Sequence, residues 1–270
     1  MEALWGAFLD FLPGNWENFK IWGIWRFLLE GLWVSVQIAI VAIILSIIVG
    51  VVMSIARLAP VPIVRILATT YIETFRATPL LLLIFFVFFG AGRFNTSWAT
   101  DIPLLNWFVD DRSGDLTPKA SATLALALYN SAVVAEIMRA GILSISKGII
   151  EASRAMGLSY LQSMRYVAIP MALRRMSPGL VSQLITLYKD TSLAALIALE
   201  ELLRRGKITY EAPAYGNHII EVLTVVALLY FIPNYMLSLL AARLERGPEM
   251  GRGAEDAEAV AALETTVGRG

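Results

Sequence analysis

The sequence predicts an all-α integral membrane protein with about five transmembrane helices. Its 270 residues are 57% hydrophobic and only 16% charged, whereas soluble domains average about 45–50% apolar and about 25% charged residues. Several apolar stretches are also long enough to cross a bilayer. Residues 32–56 contain no ionisable side chain, and as a helix they would extend about 37 Å across a hydrocarbon core of about 30 Å.

The composition excludes several classes of function. The chain has 22 lysines and arginines and 22 aspartates and glutamates. It therefore lacks the excess of positive charge that would indicate a nucleic-acid partner. The absence of cysteine excludes disulfides and thiolate sites. A single histidine, His218, excludes any site that needs two imidazoles, and we interpret it as a capping or interfacial residue.

Residues 1–30 predict an interfacial amphipathic segment that precedes the membrane-spanning part. Glu2 and Asp10 stand where a signal peptide would be basic. Tryptophans among Phe, Lys and Arg are typical of a segment at headgroup depth, and an anchor is favoured over a docking surface for a binding protein. The tryptophans are Trp5, Trp16, Trp22 and Trp25.

A transmembrane domain is predicted over residues 31–246, followed by a flexible cytoplasmic tail at 247–270 that is rich in Gly, Ala and acidic residues. Pro79 divides the second span into two helical pieces, because proline removes a backbone hydrogen bond. The polar, turn-rich residues 93–117 predict an aqueous loop. The predicted spans are about 32–56, 63–90, 120–138, 178–199 and 219–242.

The basic residues predict the orientation of the spans. Residues 139–175 contain six Lys or Arg, whereas residues 93–117 contain two, so the positive-inside rule assigns 139–175 to the cytoplasm. The N-terminus is then outside and the C-terminus inside. Arg204, Arg205 and Lys207 fall on the outside and disagree with this assignment.

The cytoplasmic segment predicts two short helices that meet at Gly157, since glycine fits the left-handed position that ends a helix. Ser159 followed by Gln162 is a capping-box pattern for the second helix. Pro170 marks the end of that helix or a kink just before the next span. The spacing alone is equally compatible with a helix pair that packs on its own bundle and with a docking site for a partner.

The same segment resembles the EAA loop of ABC-importer permeases. The resemblance rests on Glu151-Ala152-Ser153, three residues, Gly157, nine residues, and then Val167-x-Ile169-Pro170. Ser153 in place of alanine departs mildly from the pattern, and so does the Gly148-Ile149-Ile150 turn. Residues 71–81, 135–142 and 187–193 are similar to polar amino acid uptake permeases, the group with histidine, glutamine, arginine and glutamate systems. The similarity covers about 32–244.

The resemblance implies a type I ABC-importer permease fold in the bacterial cytoplasmic (inner) membrane. It further implies two copies of a cytoplasmic ATPase, a second permease chain that is identical or related, and an extracytoplasmic amino acid-binding protein. The sequence has no phosphate-binding loop, so we expect the chain to be no enzyme and to bind no cofactor, with ATP used by the partner.

The resemblance also implies that a short coupling helix within residues 144–170 docks in a groove on the ATPase. Glu151 and Arg154 are then candidate polar contacts, and the small residues permit close approach. Ordinary helix packing is the alternative explanation for the small residues. The predicted coupling residues are Glu151, Ala152, Ser153, Arg154, Ala155 and Gly157.

Charged side chains inside spans are costly, about 2.5–3.5 kcal/mol each, and so indicate function. A zwitterionic substrate, which the resemblance implies, suits a site with one acid, one base and hydroxyl groups. The alternative is a charge pair that only locks the bundle. By contrast, Glu136 and Arg139 predict a structural ion pair. The predicted pathway residues are Lys189, Asp190 and Arg76, with Glu73, Thr78, Thr191 and Ser192.

The second hypothesis is an ion- or proton-coupled secondary carrier that uses Asp190 and Lys189 as its titrating pair. Such carriers often contain internal repeats. The sequence has no second copy of the Phe-Arg-Ala-Thr-Pro stretch at 75–79 or of the Lys-Asp-Thr-Ser stretch at 189–192. A membrane enzyme would need a nucleophile–base pair or a metal site, which the sequence lacks. The identity of the amino acid, the homodimer or heterodimer state, and the subunit that sets selectivity stay open at this point.

Overall fold

The structure is a computed structural model that describes residues 22–91, 117–213 and 218–245. Within these ranges the regular elements are helices, as the sequence predicts. Residues 1–21 of the predicted interfacial segment, most of the predicted loop at 93–117, and the predicted tail at 247–270 lie outside the described residues. The α-helices are α1 Trp22–Leu58, α2 Pro62–Ala77, α3 Leu80–Ala91, α4 Pro118–Leu143, α5 Lys147–Ala155, α6 Tyr160–Ser163, α7 Ile169–Asp190, α8 Leu202–Glu211 and α9 Ile219–Glu245.

Among the described residues, α1, α4 and α9 are each long and apolar enough to cross a membrane. The consecutive helices α2 and α3 pass the same test together and are bent by 105°. This bend confirms the predicted break at Pro79. Helix α1, Trp22–Leu58, includes ten residues before the predicted span at 32–56. Within these residues Glu30 pairs with Arg26 and Arg205 at 3.0 and 2.8 Å.

The predicted fourth span at 178–199 is wrong in its bounds. Helix α7 begins at Ile169 and ends at Asp190, and a 3₁₀ helix follows from Thr191 to Ile197. The hydroxyl groups of Thr191 and Ser192 donate to carbonyls three residues back, at 2.7 and 2.8 Å. The chain therefore tightens at that point, and Lys189 and Asp190 lie at a helix end instead of mid-helix.

Pro170 neither ends nor breaks the helix that contains it. Helix α6 continues through a π-helical turn, Met164–Ala168, directly into α7. Pro170 lies in the first turn of α7, where the wider π turn accommodates its missing N–H. Helices α6 and α7 are consequently one continuous helical rod.

Helix α4 is the central helix of the bundle. In its most apolar stretch 61% of the residues are buried, against 33% for α1 and 22% for α9. Close approach depends on small residues, since a Cβ at Gly50 of α1 would lie 2.6 Å from Cγ1 of Val134. The Ser46 hydroxyl donates to the Ala127 carbonyl at 3.3 Å. Small residues and side-chain hydrogen bonds are the usual means by which helices associate in lipid.

Two neighbouring polar residues in the middle of α4 bond to different helices. The Gln183 amide of α7 donates to Oδ1 of Asn130 at 2.6 Å. The hydroxyls of Tyr71 in α2 and Ser131 share a hydrogen bond of 2.8 Å. These bonds fix α2 and α7 on adjacent sides of α4, with a space between them.

A buried carboxylate, which the sequence analysis did not single out, connects α1, α8 and α9 at the end of the bundle that contains α8. Glu201 is fully buried and caps α8 by accepting the N–H groups of Leu203 and Arg204 at 3.0 and 2.7 Å. It also accepts the hydroxyls of Ser35 in α1 and Tyr230 in α9, at 3.2 and 2.5 Å. One side chain thus connects three helices.

We expect the substitution Glu201→Ala to destabilise the chain strongly, because it removes the acceptor of the Tyr230 hydroxyl and of two N–H groups and one of the two acceptors of the Ser35 hydroxyl. Each bond to a charged group contributes about 1.5–3 kcal/mol, so the thermal midpoint in detergent should fall by several degrees. Glu211→Ala, at the exposed far end of the same helix, is the matched control and should leave the midpoint unchanged. An equal effect of the two substitutions would contradict the role of Glu201.

Candidate functional site

A cleft of about 530 Å³ lies between α2, α4 and α7, and we call it the central cleft. It occupies the space beside the Asn130–Gln183 hydrogen bond. Its lining comes from the last turn of α2, the start of α3, the middle of α4 and the C-terminal half of α7 with the following turn. The lining residues are Arg76, Leu80, Tyr129, Val133, Gln183, Thr186, Asp190 and Leu193.

The central cleft contains one cationic and one anionic side chain on different helices. Arg76 comes from the last turn of α2, and Asp190 is the last residue of α7. The neutral polar groups of Tyr129, Gln183 and Thr186 line the space between them. The arrangement can therefore receive a small molecule that has both an anionic and a cationic group.

Of the seven predicted pathway residues, the structure brings Arg76 and Asp190 into this lining and leaves the others outside it. Lys189 is exposed next to Asp190, because neighbours on a helix point about 100° apart. Glu73 pairs with Arg57 at 2.8 Å. The Thr78 hydroxyl donates to the Thr74 carbonyl at 2.8 Å.

Thr191 and Ser192 are also absent from the lining. Thr191 is buried, and both hydroxyls bond to carbonyls of their own chain segment. Sequence reasoning missed Gln183 and Thr186, which carry no charge. The signal that marks them is their spacing to Asp190, because residues at i, i+3 and i+7 lie on one helix face.

The predicted ion pair between Glu136 and Arg139 is confirmed at 2.6 Å. Glu136 has a second partner from α1, since Arg57 donates to it at 2.6 Å. The same Arg57 guanidinium also reaches Glu73 of α2. Charges from three helices thus meet near the ends of α1 and α4.

The predicted coupling segment, residues 144–170, has the local structure that its sequence predicts. Gly157 adopts φ +92°, and its N–H bonds to the Arg154 carbonyl at 3.0 Å, while Leu158 bonds back to Ser153 at 3.3 Å. This pair of bonds is the Schellman end of α5. The Ser159–Gln162 capping box is also formed, with the two reciprocal bonds at 2.8 and 3.3 Å.

Helix α5 has one face on the bundle and one face free. Ile145 before the helix and Ile149 within it pack against the start of α7 through Ala172 and Met176. Ser153 continues this inner face, since it is buried and donates to the Ile150 carbonyl at 2.8 Å. Ser153 therefore differs from the other predicted coupling residues, which are exposed: Glu151, Ala152, Arg154, Ala155 and Gly157.

The exposed face of α5 borders a shallow groove of about 630 Å³, which we call the coupling groove. It places charged groups beside a tyrosine ring and backbone at a tight turn, and the neighbouring Met156 is 85% exposed. Arginine, tyrosine and methionine, three residue types that are enriched at protein interfaces, thus occur together at this surface. The lining residues are Glu151, Arg154, Gly157, Leu158, Ser159, Tyr160 and Gln162.

The fold of the described bundle is similar to that of two solved ABC transporters. The fold matches a chain in the crystal structure of an amino acid ABC transporter with histidines, with a TM-score of 0.72, 24% identity, and coverage of 87% of this chain and 99% of that one. It also matches the inward-facing MetNI methionine ABC transporter, with a TM-score of 0.60, 21% identity, and coverage of 84% and 98%.

Residues 42–248 match the family of binding-protein-dependent transport system inner membrane components, and the chain belongs to that family. It is similar to the probable glutamine ABC transporter permease GlnP of Bacillus subtilis, with 41% identity over 81% of this chain and 92% of that protein. The glutamate permease GluD of Corynebacterium glutamicum is 31% identical over 84% and 76%. The arginine permease ArtQ of B. subtilis is 33% identical over 82% and 91%.

The chain is thus a membrane-spanning permease subunit of an ABC importer, and its role is transport. The predictions of the fold class and of the permease function are confirmed. The alternative of a secondary carrier receives no support from these relatives.

Gly157→Ala should loosen the end of α5 by about 1 kcal/mol, because a side chain disfavours the left-handed backbone. The matched control is Gly148→Ala in the same helix, since a Cβ meets no atom within 4 Å at either position and only Gly157 has a positive φ. Hydrogen exchange at residues 156–158 measures the effect. Faster exchange in the Gly157 variant alone is expected, and equal exchange in both would contradict it.

Proposed function

We propose that the chain forms part of the membrane pathway of an ATP-driven importer for polar amino acids. The observation that carries the proposal is the presence of Arg76 and Asp190 in one cleft, on two different helices. An α-amino acid presents a carboxylate and an ammonium group, which these side chains match in charge. The names of the relatives, which specify glutamine, glutamate and arginine, support the same substrate class.

Arg76 binds the substrate carboxylate in this proposal, because its guanidinium can donate two parallel hydrogen bonds. Asp190 receives the ammonium group. Tyr129, Gln183 and Thr186 then offer neutral donors and acceptors to the substrate side chain. In this arrangement Arg76 and Asp190 bind the carboxylate and ammonium groups that all amino acids share. Selection among amino acids then depends on the neutral groups and on the external binding protein.

The remaining predicted pathway residues take supporting roles in the proposal. Glu73 and Thr78 hold the end of α2, where α3 turns away. Thr191 and Ser192 hold the 3₁₀ turn that ends α7 directly after Asp190. Lys189, exposed at that same end, is free of the central cleft lining and provides an internal control for charge.

The assembly in our proposal contains this chain, a second identical or related permease chain, two cytoplasmic ATPase subunits and an extracytoplasmic amino acid-binding protein. The ATPases bind and hydrolyse ATP, and this chain contributes no cofactor site. The central cleft lies between α2 and α7 at the side of the described bundle, so a second permease chain is needed to close the pathway.

The coupling groove faces the cytoplasm in this arrangement, with the N-terminus outside and the C-terminus inside. Five basic residues near α5 to α7 are exposed, in agreement with the positive-inside rule. The basic residues of α8 disagree with the rule, but Arg205 pairs with Glu30 and Glu200 at 2.8 and 3.6 Å, and Lys207 with Glu211 at 3.5 Å. The five exposed residues are Lys147, Arg154, Arg165, Arg174 and Arg175.

Movement of an attached ATPase would reach the central cleft through α7. Helix α5 packs on the start of α7, and α7 ends at Asp190. Arg175 of α7 also donates to the Ser144 carbonyl at 2.5 Å, at the junction that precedes α5. A rigid shift of α5 and α7 would then alter the separation of Asp190 and Arg76 and thus exchange inward-open and outward-open states.

Asp190→Asn and Arg76→Gln should each lower amino acid uptake about tenfold or more, because each removes a charged partner of the substrate. The measurement is uptake of labelled glutamine, glutamate and arginine by proteoliposomes that contain the assembled complex. Lys189→Gln is the matched control and should retain uptake. Assembly with the ATPase must survive in all three variants, and loss of assembly in the Asp190 variant would favour the packing role instead.

Co-purification in mild detergent tests the coupling groove directly. The ATPase should accompany the wild-type chain and be lost with Glu151→Lys and Gly157→Asp, since the first reverses a charge in the groove and the second disrupts its turn. Lys207→Glu, an exposed charge reversal at the other end of the bundle, is the control. Retention of the ATPase by folded groove variants would refute this docking site.

A further inference from the structure

Five charged side chains of α1, α2 and α4 form a continuous series of ion pairs, which we call the charge chain. From the central cleft outward the contacts are Arg76–Glu73 at 4.0 Å, Glu73–Arg57 at 2.8 Å, Arg57–Glu136 at 2.6 Å and Glu136–Arg139 at 2.6 Å. Its first residue lines the central cleft, and its last residue lies one turn before the end of α4.

We propose that Arg57 is a positioning residue that links occupation of the central cleft to the junction of α4 with α5. The proposal rests on the proposed function, because it takes Arg76 as the group that meets the substrate carboxylate. The geometry at Arg57 carries it. Nη2 donates to Glu73 and Nη1 to Glu136, so one planar guanidinium bridges carboxylates of two different helices.

The contacts of the charge chain are graded in strength. At the cleft end the side chains of Arg76 and Glu73 are 40% and 55% exposed, and their contact is the longest. At Arg57 and Glu136 the exposed fractions fall to 18% and 23%. Exposed ion pairs are weak and partly buried pairs are screened less, so a substrate carboxylate can take Arg76 from Glu73 while the inner contacts persist.

The loss of Arg76 from Glu73 has a direct consequence at Arg57. Glu73 is then left with Arg57 as its partner within the charge chain and attracts it more strongly. Glu136 shares the same guanidinium and in turn depends more on Arg139. The charge balance at the end of α4 therefore depends on whether Arg76 contacts Glu73 or a substrate carboxylate.

The far end of the charge chain meets the segment that leads to the coupling groove. Helix α4 ends at Leu143, and the carbonyl of the next residue, Ser144, accepts from Arg175 of α7. Helix α5 begins at Lys147. A change at Arg139 is thus within about one helical turn of the junction of α4, α5 and α7.

A purely structural role is the competing explanation, in which the charge chain only holds α2 against α1 and α4. The two roles differ in where a change at Arg76 is felt. A structural role confines the effect of Arg76→Gln to α2 and α3. A positioning role extends it to residues 140–147, and only while Arg57 bridges the two carboxylates.

Hydrogen exchange of the full chain in lipid nanodiscs distinguishes these roles without any ligand. The wild type, Arg76→Gln, Arg57→Gln and the double variant form a double-mutant cycle. Arg76→Gln should change exchange at residues 140–147 by about twofold or more, and should change nothing further in the Arg57→Gln background, because coupled residues are not additive. Effects confined to residues 62–91, or effects that add, would overturn the proposal.

Arg57→Lys is included in case Arg57→Gln does not fold, because it keeps a positive charge at this position. Its ammonium keeps the charge and can donate to both carboxylates, but one nitrogen must serve the two acceptors where the guanidinium has one nitrogen for each. We therefore expect a near-native thermal midpoint and a coupling between that of the wild type and that of Arg57→Gln. Arg26→Gln, which removes an exposed i, i+4 pair of the same helix, is the matched control and should leave residues 140–147 unchanged. Coupling in the folded Arg57→Lys variant that is no larger than in Arg57→Gln would also overturn the proposal.

The hydrogen-exchange cycle and the uptake assay test different proposals, so one proposal can be refuted without the other. An absence of uptake for all three amino acids in the wild-type complex refutes the proposed substrate class and leaves the exchange result to decide on Arg57. Normal uptake dependence on Arg76 and Asp190, together with an exchange effect limited to α2 and α3, refutes the positioning role alone.

Discussion

The close packing of α4 against its neighbours determines where the two charged groups of the central cleft lie. Lipid offers little hydrophobic driving force for helix association, so small side chains and interhelical hydrogen bonds must hold the bundle. The buried face of α4 meets α1 at Gly50, α2 through Ser131 and α7 through Asn130. Since α2 and α7 are both fixed to α4, the residues at their ends, Arg76 and Asp190, come to line one cleft.

The two ends of the bundle are stabilised in different ways, and the difference suits a transporter. Glu201 is fully buried and accepts four hydrogen bonds from α1, α8 and α9, so breaking this node would expose several polar groups at once. The charge chain is partly exposed, and its contacts lengthen toward the cleft. One end therefore resists rearrangement, and the other can exchange partners at small cost.

Short-range interactions within residues 144–170 set the position of α5 on the bundle. The Gly157 turn and the Ser159–Gln162 capping box set the angle between α5 and the rod that continues into α7. The inner face of α5, with Ile149 and Ser153, seats it on that rod. The outer face is exposed, so in our proposal a force that a partner applies there passes to α7.

The sequence by itself determined the helical membrane class, the break at Pro79, the turn at Gly157 and the Glu136–Arg139 pair, because each depends on residues within a few positions of one another. Only the tertiary structure decided which charges face the central cleft, that Arg57 bridges two helices, and that Glu201 is buried. It also ended α7 at Asp190 and excluded Lys189 from the cleft. The physical reason is that helices which are apolar on all sides carry no signal of their rotation or of their neighbours, so contacts between distant segments emerge only when the helices pack.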